Sequence, residues 1–341
     1  MIILGIDTSC DDTCVALLEI RNSKFEIRSN VVSSQVKLHA KYGGVYPSLA
    51  KREHIKNLPV VFKRALRQAQ GKQIDLIGVT VGPGLEPCLW QGVNFAKDLA
   101  EKLKKPLVAV NHIEAHIAVN FISKDIKNYF PAICLVVSGG HTQLILMRSI
   151  GKYKILGETR DDAAGECFDK VARILGLGYP GGPVIATEAA KFNRDRISVS
   201  LPRPMIYQKN YDFSFSGLKT AVLYDFKNRP SKIQKSKEYI QEICKETQQA
   251  IIDVLIHKTL KVAKNYKVKS VILGGGVAAN NELRKQIKEA IEKNLPNSKF
   301  LIPNFQYCTD NAAMVAITAF FNQKKATKNW KKIKANANLK I

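Results

Sequence analysis

Two stretches of this chain repeat one pattern, and the repetition limits the fold more than any other feature. The apolar run Ile2 to Ile6 turns through Asp7-Thr8-Ser9-Cys10-Asp11-Asp12-Thr13 and resumes as Cys14 to Leu18. Ala132 to Val137 turns through Ser138-Gly139-Gly140-His141-Thr142 and resumes as Gln143 to Met147. Short apolar runs joined by small polar turn residues read as buried hairpins. One hairpin near the head of each half implies an internal duplication, with one nucleotide-facing loop per half. The expected class is α/β. A chain of 341 residues is long enough for two cores. The N-terminal subdomain is expected over residues 1–131 together with about 311–341, and the C-terminal subdomain over 132–310. The boundary falls near Phe130-Pro131, without a low-complexity linker, and a final helix from Asn311 to Phe321 returns to the first subdomain.

Between these landmarks the pattern alternates. Ser48 to Gln70 reads as a helix disturbed by Pro59, Leu76 to Val81 as a strand ending in Gly82-Pro83-Gly84, and Gly92 to Leu103 as a helix. The second half predicts a helix over Ala163 to Leu175 and a rigid loop, Pro180-Gly181-Gly182-Pro183, that opens another. A long helix follows from Tyr239 to Tyr266. The strand Ser270 to Leu273 then enters Gly274-Gly275-Gly276, and a helix starts near Ala279.

Three glycine turns therefore stand at element ends: Ser138-Gly139-Gly140, Gly181-Gly182 and Gly274-Gly275-Gly276. Such turns expose backbone N–H groups and let a phosphate approach closely. A single one is explained by turn geometry alone, but three in an α/β chain favour a nucleotide. Neither a P-loop nor a G-x-G-x-x-G after the first strand occurs, which argues against P-loop NTPases and Rossmann dehydrogenases. The acids Asp161, Asp162, Glu166 and Asp169 are expected to contact ribose or amino groups.

His112-Ile113-Glu114-Ala115-His116 follows the apolar run Leu107 to Val110. In a helix, positions four apart share a face, so both histidines can address one metal. A solvated helix face is the competing reading. Asp310, after the strand Phe300 to Ile302, is the candidate third ligand, although an Asp there also suits a helix N-cap. Two histidines and one carboxylate with open positions suit Fe(II), and Zn(II) accepts the same donors. A metalloprotease of the H-E-x-x-H kind needs its acid beside the first histidine, whereas Glu114 comes one residue later.

Charge narrows the partners. Against 29 acids stand 53 Lys and Arg, a net charge of +24, and such a field attracts RNA, DNA or anionic membrane. Lysines spread along the whole chain account for part of it. The acid-free tail Lys324 to Ile341, with seven lysines around Trp330, is the densest patch. The seven cysteines are scattered and include no C-x-x-C, so neither a disulfide framework nor a cysteine zinc site is expected. The N-terminus lacks the basic region of a secretory signal and no apolar run reaches membrane length, so a cytoplasmic protein is expected.

Together these segments resemble a known family. Gly5-Ile6-Asp7-Thr8-Ser9-Cys10-Asp11-Asp12, Ser34-Gln35-Val36-Lys37-Leu38-His39, Tyr42-Gly43-Gly44-Val45 and Gly82-Pro83-Gly84-Leu85 match in order. So do the histidine motif, Val137-Ser138-Gly139-Gly140-His141-Thr142-Gln143 and Asp161-Asp162-Ala163-Ala164-Gly165-Glu166. Phe213-Ser214-Phe215-Ser216-Gly217-Leu218-Lys219-Thr220, Gly275-Gly276-Val277-Ala278-Ala279-Asn280 and Cys308-Thr309-Asp310-Asn311 complete the series. The chain resembles the bacterial tRNA N6-adenosine threonylcarbamoyltransferases, of the actin-like ATPase superfamily, whose two duplicated subdomains flank a nucleotide cleft.

The resemblance implies transfer of a threonylcarbamoyl group from threonylcarbamoyl-adenylate to N6 of the adenosine 3′-adjacent to the anticodon, in tRNAs reading ANN codons. It implies His112, His116 and Asp310 as ligands of one divalent metal, Fe(II) ahead of Zn(II). Val136, Val137, Ser138, Gly139, Gly140, Asp169, Gly182 and Asn280 match adenylate-binding positions, and Ser9 and Gly275 are grouped with them. Asp11 is the candidate catalytic residue, orienting the amine or taking its proton. ATP or ADP are further possible ligands. Expected partners are tRNA, a shorter paralogous subunit and a P-loop ATPase, with the adenylate made by a separate synthase. The sequence departs from the pattern at Asp12, in place of Glu, at Pro87, in place of glycine, and at Ser48, in place of an acid. Val136 stands where archaeal and eukaryotic relatives have tyrosine. The tail matches no motif of the family. The alternatives are a metalloprotease, a small-molecule kinase of the same superfamily and a non-catalytic scaffold.

Overall fold

A computed structural model describes residues 1–22, 24–122, 126–193 and 198–341. The chain forms two units, Met1–Lys127 with Thr309–Ile341, and Asn128–Cys308. The first contains β1 (Ile2–Asp7), β2 (Asp12–Arg21), β3 (Lys24–Ser34), α1 (Val36–Ala40), α2 (Pro47–Gln68), β4 (Leu76–Gly82), α3 (Glu86–Leu103), β5 (Leu107–Asn111) and α4 (His112–Ala118). The second contains β6 (Ala132–Val137), β7 (Thr142–Ser149), β8 (Lys152–Glu158), α5 (Ala164–Ile174), α6 (Gly181–Lys191), α7 (Ser216–Asn228), α8 (Ser231–Gln234), α9 (Lys237–Asn265), β9 (Ser270–Gly274), α10 (Asn281–Asn294) and β10 (Lys299–Leu301). The last helix, α11 (Ala312–Phe321), belongs to the first unit.

The sheet orders are β3-β2-β1-β4-β5 and β10-β9-β6-β7-β8. In each, the first three strands form an antiparallel meander, and the two later strands join in parallel. The duplication seen in the hairpins therefore extends to both whole sheets. β1, β4 and β6 are buried along their entire lengths, as expected of strands covered on both faces. The third strands, β3 and β8, did not stand out in the sequence. They alternate between exposed and half-buried positions along much of their length, the mark of an edge strand rather than of a core run.

α11 is apolar on all sides and almost wholly buried, as a helix enclosed by its own unit must be. It reaches β1 because Gly5 has no side chain: a Cβ there would lie 2.2 Å from the Ala312 carbonyl oxygen. Gly78 on β4 plays the same part toward Ala319.

Two expectations are corrected. α2 is one continuous helix through Pro59; the proline lies on the exposed face, where water can take the freed carbonyl. The unit boundary lies at 127/128 and 308/309 rather than at 131/132 and 310/311, so Asp310 belongs to the first unit. The cause is Asn311, whose side chain caps α11 and ties the preceding residues to that helix. Finally, the departures at Ser48 and Pro87 lie in the first turns of α2 and α3, and Pro87 occupies a position where a proline's fixed φ suits a helix start. Among the described residues no helix is long and apolar enough to cross a membrane.

Candidate functional site

In the first unit, β5 delivers the chain into α4 through Asn111. Its Oδ1 accepts the N–H groups of Ile113 at 2.9 Å and Glu114 at 3.1 Å, satisfying amides that a helix start leaves open. This start sets His112 and His116 on one face, with ring centroids 4.6 Å apart. His112 is 7% exposed and His116 1%, which rules out the solvated-face reading.

Asn311 decides the role of Asp310. The Asn311 side chain, not Asp310, accepts the Met314 N–H and caps α11, so the Asp310 carboxylate is left for the histidines. Its Oδ1 lies 3.4 Å from His112 Nε2 and 3.3 Å from His116 Nε2. The three donor atoms lie within 4.8 Å of one another. Adjacent donors of a tetrahedral ion with bonds of about 2.1 Å stand about 3.4 Å apart. Moreover, both ring nitrogens of buried His116 lack a well-aligned hydrogen bond, a costly state unless something else engages them. The donor set and its spacing fit a divalent cation.

The electrostatics agree. Burial would depress His112, but the Asp310 and Asp7 carboxylates outweigh it and hold the imidazole up at about 10. Burial would raise Asp310, yet the His112 and His116 rings keep its carboxyl well below the usual range. Burial instead depresses His116, so the two carboxylates favour a positive charge at His112 and not at its neighbour. Asp7, which sequence reading passed over, is fully buried. Its Oδ2 lies 3.4 Å from His112 Nδ1, and its Oδ1 accepts the Ser9 N–H at 2.9 Å. A carboxylate behind a ligating histidine orients the ring toward the metal. The available signal was a lone acid ending a wholly apolar strand.

Ser9, expected among the nucleotide contacts, donates its Oγ–H toward Asp310 Oδ2 at 3.5 Å and so borders the candidate metal donors. Glu114 lies away from them, accepting the Asn322 amide at 3.0 Å; it is not placed as a protease base. Asp11 sits at the β1–β2 tip, which two neighbours hold. Gln35 donates its N–H to the Asp11 carbonyl at 3.2 Å. His54 Nε2 donates to the Cys10 carbonyl at 3.0 Å, leaving Nδ1 to accept from Thr13 Oγ1 at 2.8 Å. Because a carbonyl only accepts, this tautomer of His54 is fixed. Burial pushes the Asp11 carboxyl up, and it pushes Asp12 up to about 7.

In the second unit the glycine turns form a connected set. Ser138 closes the β6–β7 tip by accepting the His141 N–H on Oγ at 3.0 Å. The start of α5 lies on that tip, with the Gly165 N–H donating to Ser138 O at 3.1 Å. Asp169 on α5 in turn accepts the Gly181 N–H at 2.7 Å. Gly275, at φ 89°, lies against Val137, whose carbonyl oxygen a Cβ would meet at 2.3 Å. Packing explains Gly165, Gly181 and Gly275. By contrast, a Cβ at Gly139, Gly140, Gly182 or Gly276 would meet nothing within 4 Å, so open space adjoins these backbones.

The remaining predicted contacts are qualified by what already occupies them. Val136 and Val137 are fully buried, which leaves only backbone to meet a ligand. Asn280 caps α10 through the Leu283 N–H at 3.0 Å and donates to Gln248 at 2.8 Å. The acidic cluster is largely spent within the protein, contrary to expectation. Asp161 accepts from Ser214 Oγ, Ser216 Oγ and the Phe215 N–H. Asp162 pairs with Lys170 and Lys219, and Glu166 with Lys170.

Two sheets of this order, each bearing a polar hairpin tip, define the actin-like ATPase class of α/β proteins. Solved structures agree at the level of fold. HypF of T. kodakarensis matches with TM-score 0.58 at 15% identity over 95% of this chain, which spans 48% of HypF. A ROK hexokinase from Thermus thermophilus matches with TM-score 0.50 at 16% identity, over 95% of this chain and all of that one. Within that class, the chain belongs to the tRNA N6-adenosine threonylcarbamoyltransferases: the TsaD family model matches residues 26–317. The curated relative from Thermosipho africanus is 49% identical over 344 residues, covering 100% of both chains. That from Clostridium botulinum is 44% identical over 344 residues, covering 99% of this chain and 97% of its own. Both bear the name tRNA N6-adenosine threonylcarbamoyltransferase.

Proposed function

We propose that this chain transfers the threonylcarbamoyl group of threonylcarbamoyl-adenylate to N6 of the adenosine 3′-adjacent to the anticodon in tRNAs reading ANN codons, with AMP leaving. In a member of this family, the observation that carries the reading is the convergence of His112, His116 and Asp310 on one buried point. These three would hold one divalent cation, Fe(II) ahead of Zn(II) for a two-histidine, one-carboxylate set, and a cation there supplies charge stabilisation to a phosphate or carbamoyl oxygen. Asp7 Oδ2 lies 3.4 Å from His112 Nδ1 without a well-aligned hydrogen bond, and would orient that ring once a cation is bound.

The acceptor is a weak aromatic amine, so it must be oriented and relieved of a proton as the new C–N bond forms. Asp11 takes that role from the β1–β2 tip, where burial raises its carboxyl. The open backbones at Gly139, Gly140, Gly182 and Gly276 leave room for the adenylate, with Ser138 and Asp169 keeping the turns in shape. A separate synthase would supply the adenylate, and a shorter paralogue and a P-loop ATPase are the proposed partners. A tRNA substrate puts this work in the cytoplasm.

The test is nucleoside mass spectrometry of unmodified tRNA after incubation with the adenylate, the chain and its partners, with metal analysis of the purified protein. Threonylcarbamoyladenosine should form, and both His116→Ala and Asp11→Asn should abolish it while only His116→Ala loses metal. Absence of product from the parent protein defeats the proposal, and full activity of Asp11→Asn removes Asp11 from the mechanism.

A further inference from the structure

No acid follows Asp310 in the sequence, yet seven lysines lie between Lys324 and Lys340. All seven are exposed, and none takes part in an ion pair among the described residues. Some lysines elsewhere on the surface are paired, as Lys170 is with two acids.

This basic segment is pinned to the first unit. Thr327 and Leu107 exchange backbone hydrogen bonds of 3.0 Å, which continue the sheet beyond β5. Trp330 Nε1 donates to the Lys105 carbonyl at 3.0 Å. Ile333 is buried, and Trp330, Ala335 and Leu339 pack on the same core. The Asn336 N–H donates to Val81 O at 2.7 Å, and the Gly84 N–H to Ala337 O at 3.2 Å. Apolar residues thus face inward while the lysines between them face water. A tail that served only solubility would need no anchors, and ordering it costs chain entropy. Anchored, it holds the backbone positions of its lysines in place along the surface.

The strap also shares a scaffold with the candidate site. Its far end holds the 82–85 loop, and the Leu85 N–H donates to Ser9 O at 2.8 Å; Ser9 borders Asp310. We propose that this strap binds the sugar-phosphate backbone of the tRNA substrate. Unpaired ammonium groups on an anchored backbone suit a polyanion, and such contacts fix the position of a nucleic acid without reading its sequence.

The inference rests on tRNA being the substrate, so the experiment separates the two. Binding of an unmodified tRNA transcript to the full chain is measured from low to high salt for the parent and for K331Q/K332Q/K334Q. A control with the same charge change, K285Q/K288Q/K293Q, lies on the exposed face of α10. The strap variant should lower the slope of log K against log salt by about two to three, roughly one per lysine. Its thermal stability should be unchanged, and K331R/K332R/K334R should restore the slope. Equal slope changes in strap and control variants overturn the proposal, as does weaker binding to phosphatidylserine vesicles with tRNA binding unaltered. A parent that modifies tRNA while the strap variant keeps its slope sinks only the strap. A parent that neither binds nor modifies tRNA sinks the functional reading as well.

Discussion

Gly5→Ala tests how the fold sets the candidate metal donors. The added Cβ would lie 2.2 Å from Ala312 O and 2.8 Å from Ala316 N. Both contacts are backbone, in a helix buried within its unit, so no flexible side chain can yield. Restoring ordinary contact of about 3.2 Å requires the first turn of α11 to retreat by about 1 Å, the kind of overpacking that costs about 1–3 kcal/mol. The upper end is expected here. Asp310 directly precedes the Asn311 cap, so the displacement carries its carboxylate from separations of 3.3 and 3.4 Å toward distances too wide for a shared ion. Metal affinity should fall about 10–100-fold, as when the support of a ligand is lost. Urea unfolding followed by circular dichroism measures the first effect, and anaerobic Fe(II) and Zn(II) titrations measure the second. Gly71→Ala is the control. Its φ of 65° imposes strain, but nothing lies within 4 Å of the new Cβ, so it should cost about 1 kcal/mol and leave metal affinity alone. If Gly5→Ala matched the parent in both measurements, the claim that α11 seats Asp310 through its approach to Gly5 would be wrong.

Three further outcomes are expected. Asp7→Asn keeps the shape beside His112 but removes the charge, and should weaken metal binding about 10–100-fold, or about 1.4–2.7 kcal/mol; unchanged titrations would show that Asp7 does not orient the ring. His54→Leu strands the Cys10 carbonyl and the Thr13 hydroxyl, at about 1–3 kcal/mol for each buried group left unpaired, and a denaturation midpoint equal to the parent's would refute that role. Lys258, which donates to Asn210 O at 3.2 Å, is pushed by burial down to about 8. Between pH 8 and about 10.4 the unfolded chain binds the proton that the folded chain lacks, so parent stability rises with pH through that window. Relative to Lys258→Met, the gain should be about 1–2 kcal/mol after screening by nearby polar groups and solvent. A difference independent of pH would exclude a depressed lysine there.

Much of the site was legible because it is local. The spacing of His112 and His116 is a helical property, and the hairpin tips and glycine turns follow from short runs of small residues. The duplication was visible for the same reason in β1–β2 and β6–β7. The edge strands β3 and β8 were not, because partial exposure dilutes their apolar signal. Asp310 was named, but its type and position suited a cap as well as a ligand, and only the capping bond that Asn311 Oδ1 accepts from the Met314 N–H separates the two.

The sequence by itself determined the α/β class, the repeat, the paired histidines and the glycines of the phosphate-suited turns, since each depends on residues adjacent in the chain. Tertiary structure decided which polar groups were left for a ligand. Asp161, Asp162 and Glu166 are consumed by backbone amides, hydroxyls and lysines, whereas Asp7 and Asp310 converge on His112. It also decided that the lysine-rich tail is a strap, because Trp330 finds its partner in Lys105. A buried polar group is either paired or available, and that depends on what the fold brings within hydrogen-bond reach.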